Sequence, residues 1–161
     1  MNKYLVIFAV LVVLACSDDG LPHIDYTADG WAIYAGLEWS PRSTSSMKWD
    51  KAEEYCAALG ARLPTIDELR RLIINCPDTA SDGLCPASDP DCLNSQECYV
   101  GQPCQCKRED GPFSVLGDDL YALWSSSESS DLEGLFWYVS FIDALVLPTV
   151  GGTYISFRCV R

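Results

Sequence analysis

The sequence predicts one α+β domain, and three observations carry that expectation. Helical periodicity is confined to Trp49–Cys76, whereas β-branched and aromatic runs fill the stretch after Leu120, so helices come early and strands late. Nine cysteines in 161 residues mark an exported, cross-linked chain. Residues 77–112 carry most of those cysteines, many acidic turn residues and almost no branched apolar side chains, which predicts a disulfide-rich insert.

The N-terminus predicts where the protein resides. Lys3 supplies a positive start, and Tyr4 to Leu14 is an apolar run of 11 residues, too short to span a bilayer. It ends in Val13-Leu14-Ala15-Cys16, followed by Ser17-Asp18-Asp19. A small residue before such a cysteine resembles a bacterial lipobox, so residues 1–15 read as a lipoprotein signal peptide and Cys16 as the lipidated residue. Two or three acyl chains hold a protein at a membrane because each buried methylene adds about 0.8 kcal/mol. The competing reading is an ordinary cleaved signal that leaves Cys16 as a structural thiol. Ser17, rather than Asp, after the cysteine predicts passage to an outer membrane where one exists, which gives a cell-envelope location. Residues 16–30 are polar, rich in breakers and aperiodic, and are expected to form a flexible tether.

The domain proper is expected over 31–161. Trp31–Trp39 reads as a strand or strand pair, followed by a turn-rich loop over Ser40–Ser46. Trp49, Ala52, Cys56 and Leu59 recur at helical spacing, with Gly60 as the cap, so that helix buries Cys56. Thr65 and Glu68 form a capping box for a second helix that sets Ile66, Leu69, Ile73 and Cys76 on one side and stops at Pro77. Leu120–Trp124, Leu135–Ile142 and Ala144–Leu147 read as strands. Gly151-Gly152 turns into Thr153–Val160, whose alternation puts Ile155, Phe157 and Cys159 on one face.

Assigning Cys16 to lipid leaves eight cysteines, enough for four bonds. Cys56 and Cys159 lie on buried faces at the two ends of the domain and are expected to pair. Cys76, Cys85, Cys92, Cys98, Cys104 and Cys106 are expected to form three bonds among themselves, making the insert a module separable from the core. One intervening residue strains a bond between Cys104 and Cys106, so each needs another partner, and 15 pairings are open. Zinc is the competing use of these cysteines, but gaps of eight, six, five, five and one residues do not give its paired spacing, and no metal site is assigned.

The ordered series Trp49–Gly60, Arg62-Leu-Pro-Thr65 with Glu68-Leu69, Trp124-Ser-Ser-Ser127, Trp137-Tyr-Val-Ser-Phe141 and Arg158-Cys-Val-Arg161 resembles the C-terminal domain of the Legionella collagen-like protein. That is a family of bacterial surface and secreted domains, many described only as domains of unknown function. The resemblance covers about Trp31 to Arg161 and implies a C-type-lectin-like fold: two helices packed on a small, mostly antiparallel sheet, with the chain ends close together and long loops between the middle strands. Trp124, Trp137 and Phe141 lie in strand patterns and read as core. Arg158 and Arg161 are expected to pair with acidic residues of the helices.

Lectins of this fold hold calcium through Glu-Pro-Asn or Gln-Pro-Asp and Trp-Asn-Asp triplets, and the sequence contains none of these. Ser126, Ser127, Glu128, Asp131, Glu133 and Asp143 fall where the fold would place ligand loops. A solvated acidic loop is the alternative reading of the carboxylates. A net charge of −12 argues against nucleic acid and against an anionic lipid surface as the main partner. The sole histidine, His23, lies in the expected tether, so a serine triad built on Ser125, Ser126 or Ser127 lacks its base, and no catalytic residue or cofactor is assigned. Asp118-Asp119 and Glu53-Glu54 are expected at the surface. The expectation is a lipid-anchored envelope module, not an enzyme, that binds a glycan or a surface protein. A structural envelope lipoprotein without a small ligand is the alternative, and an enzyme like those that generate formylglycine comes third.

Overall fold

The computed structural model describes residues 22–83, 104–130 and 132–161. Cys16, the signal segment, Cys85, Cys92, Cys98 and Asp131 lie outside the described residues. The fold is α+β, with two three-stranded antiparallel sheets where one was expected.

The first sheet comprises β1 (Asp25–Tyr26), β2 (Ala32–Tyr34) and β3 (Leu37–Trp39) in that order. Asp25 pairs with Ile33, so the expected tether is shortened: its last residues belong to the folded part. Two strand residues are too few to show periodicity in a sequence. The β2–β3 turn uses Ala35 and Gly36, both at positive φ (51° and 78°), which matches the twist of a tight hairpin.

Helix α1 (Trp49–Ala58) buries Ala52 and Cys56, and Gly60 follows in the left-handed conformation at φ 68°. Helix α2 (Ile66–Arg70) starts with the expected reciprocal cap between Thr65 and Glu68. It is shorter than the apolar spacing predicts. The amide of Ile74 donates to the Phe113 carbonyl, and that of Val115 donates to Leu72, so pairing with 113–115 draws the chain out of the helix.

The second sheet is a meander of β4 (Ala122–Glu128), β5 (Leu135–Ser140) and β6 (Leu145–Val150). Pairing runs from Trp124–Tyr138 to Glu128–Phe136, which leaves β4 bulged over Ser125–Ser127. The bulge faces the start of α2: the Ser126 amide donates to Pro64 and the Ile66 amide to Ser127 Oγ. The connections inside this sheet are short, unlike the long loops the family resemblance implies. On the outer edge of β6 the Val146 amide donates to the Cys104 carbonyl, and two residues on stands Pro148.

Thr153–Val160 is extended but forms no continuous strand. Isolated bridges join Ile155 to Met47, Ser156 to Leu123, and Val160 to both Trp39 and Arg62. The segment thus passes between the sheets, each of its residues taking a different partner. Ile155, Phe157 and Cys159 do share a face. They pack with Trp31, Ala52, Cys56, Leu63 and Trp124, while Val160 joins the other cluster around Trp39, Leu69, Phe113, Val139 and Phe141.

Cys56 and Cys159 are bonded across a sequence separation of 103. Cys76 bonds to Cys106, within the expected set of six, and Cys104 is also disulfide-bonded. The insert is not separable at its ends. Cys76, Ala80 and Cys104 are buried in the larger cluster, the Thr79 hydroxyl donates to Ala144, and the Cys106 amide donates to Asp143. Small residues anchored by hydrogen bonds leave no apolar periodicity, so these core positions could not be read from the pattern.

Closing a loop of this length stabilises by about 4–5 kcal/mol in the chain-entropy account. The Cys56→Ala/Cys159→Ala double variant is therefore expected to lose several kcal/mol of unfolding free energy, read as a lower denaturation midpoint with a steeper slope, because the released unfolded chain exposes more surface. Removal of the pair without a shift would place the stability elsewhere.

Candidate functional site: an aromatic groove

A groove of about 270 Å³ lies between α1, the Pro41–Thr44 segment and the C-terminal strand-like segment. Trp31, Tyr55, Leu59 and Phe157 supply its apolar surface, and Arg42, Ser43 and Thr44 its polar side. Tyr55 meets Phe157 edge to face at 5.3 Å between ring centroids. Tyr55 and Leu59 are one helical turn apart and are 49% and 47% exposed, an apolar pair on the outward side of α1. Leu59 thus departs from the expected buried face. The sequence signal was present in the i, i+4 spacing of the two side chains.

The groove walls are fixed from behind. Trp31 is buried, with the Arg161 guanidinium 4.2 Å from its ring centroid. Arg161 also binds Glu38 and Asp29, each at 2.8 Å, so it pairs with β3 and the β1–β2 turn and not with the helices. Those two carboxylates raise the Arg161 pKa. Hydrogen bonds from Thr27 and Arg161 hold the Asp29 carboxyl below its ordinary value.

The opposite wall depends on Asp118. It is 1% exposed, contrary to the surface position expected of Asp118-Asp119. Arg158 clamps it through Nε and Nη2 at 2.9 and 3.0 Å, and Arg42 Nε stands 3.9 Å away. Arg158 also donates to the Ser40 carbonyl, again away from the helices. Arg42 lies flat over Tyr121, 3.4 Å from its centroid, and donates to Ser43. Reciprocal bonds pin this wall to the C-terminal segment: the Ser43 amide donates to Phe157, and the Phe157 amide to Ser43 Oγ.

The residues expected to form a ligand loop are not brought together. Ser126, Ser127 and Glu128 belong to β4. Ser126 Oγ donates to Pro64, and Ser125 Oγ to Trp137. The Glu128 carboxylate accepts from the Gly134 amide, closing the β4–β5 turn that carries exposed Glu133. Asp143 lies in the β5–β6 turn, at the other end of β5, roughly 20 Å away for a six-residue strand. Three consecutive serines after Trp124 look like loop chemistry in sequence, but here Ser126 and Ser127 bond to residues at the start of α2 and Ser125 bonds to β5. Among the described residues no cluster of His, Cys, Asp or Glu is placed to hold a metal ion. His23 is exposed beside Asp25, at 3.2 Å.

A second ion pair organises the floor behind α2. Arg62 grips Glu68 at 2.7 Å through both terminal nitrogens, and this holds the Glu68 carboxyl below its usual pKa. Arg70 is buried against Thr79 and Ala80 carbonyls, which lowers its pKa by desolvation.

Compared with known protein families and with curated proteins, the chain gives no match.

Neutralising Asp118 while keeping its shape isolates its charge. Asp118→Asn leaves two partly buried guanidinium groups without their carboxylate, and about 3–5 kcal/mol of stability is expected to be lost. Chemical denaturation measures this, and a loss below about 1 kcal/mol would make the cluster a surface-like pair.

Proposed function

We propose that this chain is a non-enzymatic, lipid-anchored binding module of the bacterial cell envelope, with a C-type-lectin-like domain that recognises a glycan on its aromatic groove. The observation that carries this reading is the groove itself. Exposed Tyr55 and Leu59 flank the ring of Phe157, and hydroxyls and a guanidinium line the facing wall. An aromatic face beside fixed hydrogen-bonding groups suits the two sides of a sugar ring, one carbon-bound hydrogen and one hydroxyl. Pre-organisation by Asp118 and Arg158 lowers the ordering cost of binding. The acidic chain disfavours a sulfated or otherwise anionic glycan, so a neutral one is expected. Lipid on Cys16, preceded by an apolar signal, supplies the anchor in this reading.

Two measurements test it. The full chain, solubilised in detergent, is screened on an array of neutral and anionic glycans, and the strongest neutral binder is titrated against Tyr55→Ala. A loss of about tenfold or more in affinity is expected, with thermal stability changed little because Tyr55 is half exposed. Unchanged binding by Tyr55→Ala removes the groove from recognition, and no glycan binding favours a protein ligand or a purely structural lipoprotein. Separately, Cys16→Ala is expected to release the protein from the membrane fraction. Retention as tight as the parent's would refute the lipid anchor.

A further inference from the structure

A second cavity, of about 420 Å³, shares no residue with the aromatic groove. Tyr34 beside the β2–β3 turn forms one side, Arg71, Ile73 and Ile74 after α2 a second, and Ser81 and Asp82 the third. Its frame is held from within. Buried Arg70 donates to the Thr79 and Ala80 carbonyls, and the Thr79 hydroxyl donates to Ala144, which fixes the backbone leading into Ser81. The Ile74 amide is spent on Phe113, and the Tyr34 carbonyl accepts from Trp39 Nε1.

Arg62, Arg70, Arg158, Arg161 and Lys51 each have a carboxylate partner. Among the described residues, Arg71 and Asp82 have no ion pair and no side-chain hydrogen bond, although both line this cavity. Lys48, Lys107 and Arg108 also lack a carboxylate partner among the described residues, but here an unpaired cation and an unpaired anion line one cavity. The side-chain hydroxyls of Tyr34 and Ser81 are likewise uncommitted among the described residues. Among the described residues, one cation, one anion and two hydroxyls therefore border an opening whose other lining residues, Ala35, Ile73 and Ile74, are apolar. Opposite charges that share a cavity without pairing are complementary to a ligand carrying both charges itself.

We propose that this cavity binds a zwitterion of amino-acid to dipeptide size, its carboxylate on Arg71, its ammonium on Asp82 and its apolar side chain against Ile73 and Ile74. Guanidinium matches a planar carboxylate through paired donors, and Asp82 and the hydroxyls accept from the ammonium. Solvent reaches both charged side chains, so the affinity is expected in the millimolar range.

The test titrates the full chain in detergent with the dipeptide Ala-Leu, its N-acetyl form and its C-terminal amide, followed by ligand-observed NMR. Saturable binding of Ala-Leu is expected, with each capped form about tenfold weaker. Arg71→Ala is expected to abolish discrimination against the amide only, and Asp82→Asn discrimination against the N-acetyl form only. Equal binding of all three peptides by the unsubstituted protein overturns the proposal without requiring any variant to fold. So does an absence of saturation up to about 10 mM. Each outcome is independent of Tyr55 and the aromatic groove.

Discussion

The path of the last eight residues between the two sheets is the constraint on which the rest depends. The two sheets have three strands each and share no ladder with one another. Residues 154–161 join them through backbone bonds to Glu38 and Ser40 at the first sheet and to Trp124 of the second, with further bonds to Met47 and Arg62, and by placing alternate side chains in the smaller apolar cluster. The Cys56–Cys159 bond and the Arg158–Asp118 clamp then act on neighbouring residues of the same segment, one binding it to α1 and the other to the loop before β4. Covalent, ionic and apolar contributions converge on three consecutive positions, Phe157 to Cys159.

That convergence also explains the groove. Phe157 forms its base, Arg158 holds the wall through Asp118 and the Ser40 carbonyl, and Arg161 backs Trp31. The groove is thus assembled from residues far apart in sequence, all referred to one extended segment. Tyr55 on α1 and Leu59 at its C-cap flank Cys56, where a disulfide fixes the helix. A site placed on such supports changes little in shape when ligand arrives.

Much of the scaffold was legible in the sequence because its signals are local or strongly periodic. The Thr65–Glu68 cap, the α1 face carrying Cys56, the aromatic core positions Trp124, Trp137 and Phe141, and the Cys56–Cys159 pairing all follow from spacing or from burial on a known face. Features set by tertiary hydrogen bonds were not legible. The early end of α2 depends on pairing with residues about 40 positions later, and the role of Ser125–Ser127 depends on a bulge meeting a helix start. The groove was missed for a third reason. Tyr55 and Leu59 occupy positions that a purely amphipathic reading assigns to core or ignores, and Asp118 was read as surface because a carboxylate's burial becomes intelligible only with Arg158 beside it.

Pro148 gives the outer margin of the second sheet a property beyond packing. Along that margin the amides of alternate residues point away from β5; Val146 meets the Cys104 carbonyl, and the next such position, being proline, has no hydrogen to offer. A foreign strand approaching this margin meets one site already taken and one with no donor, so the ladder is broken at these two positions. Where two copies present this margin to each other, these two positions offer no free amide hydrogen, so strand pairing there is interrupted.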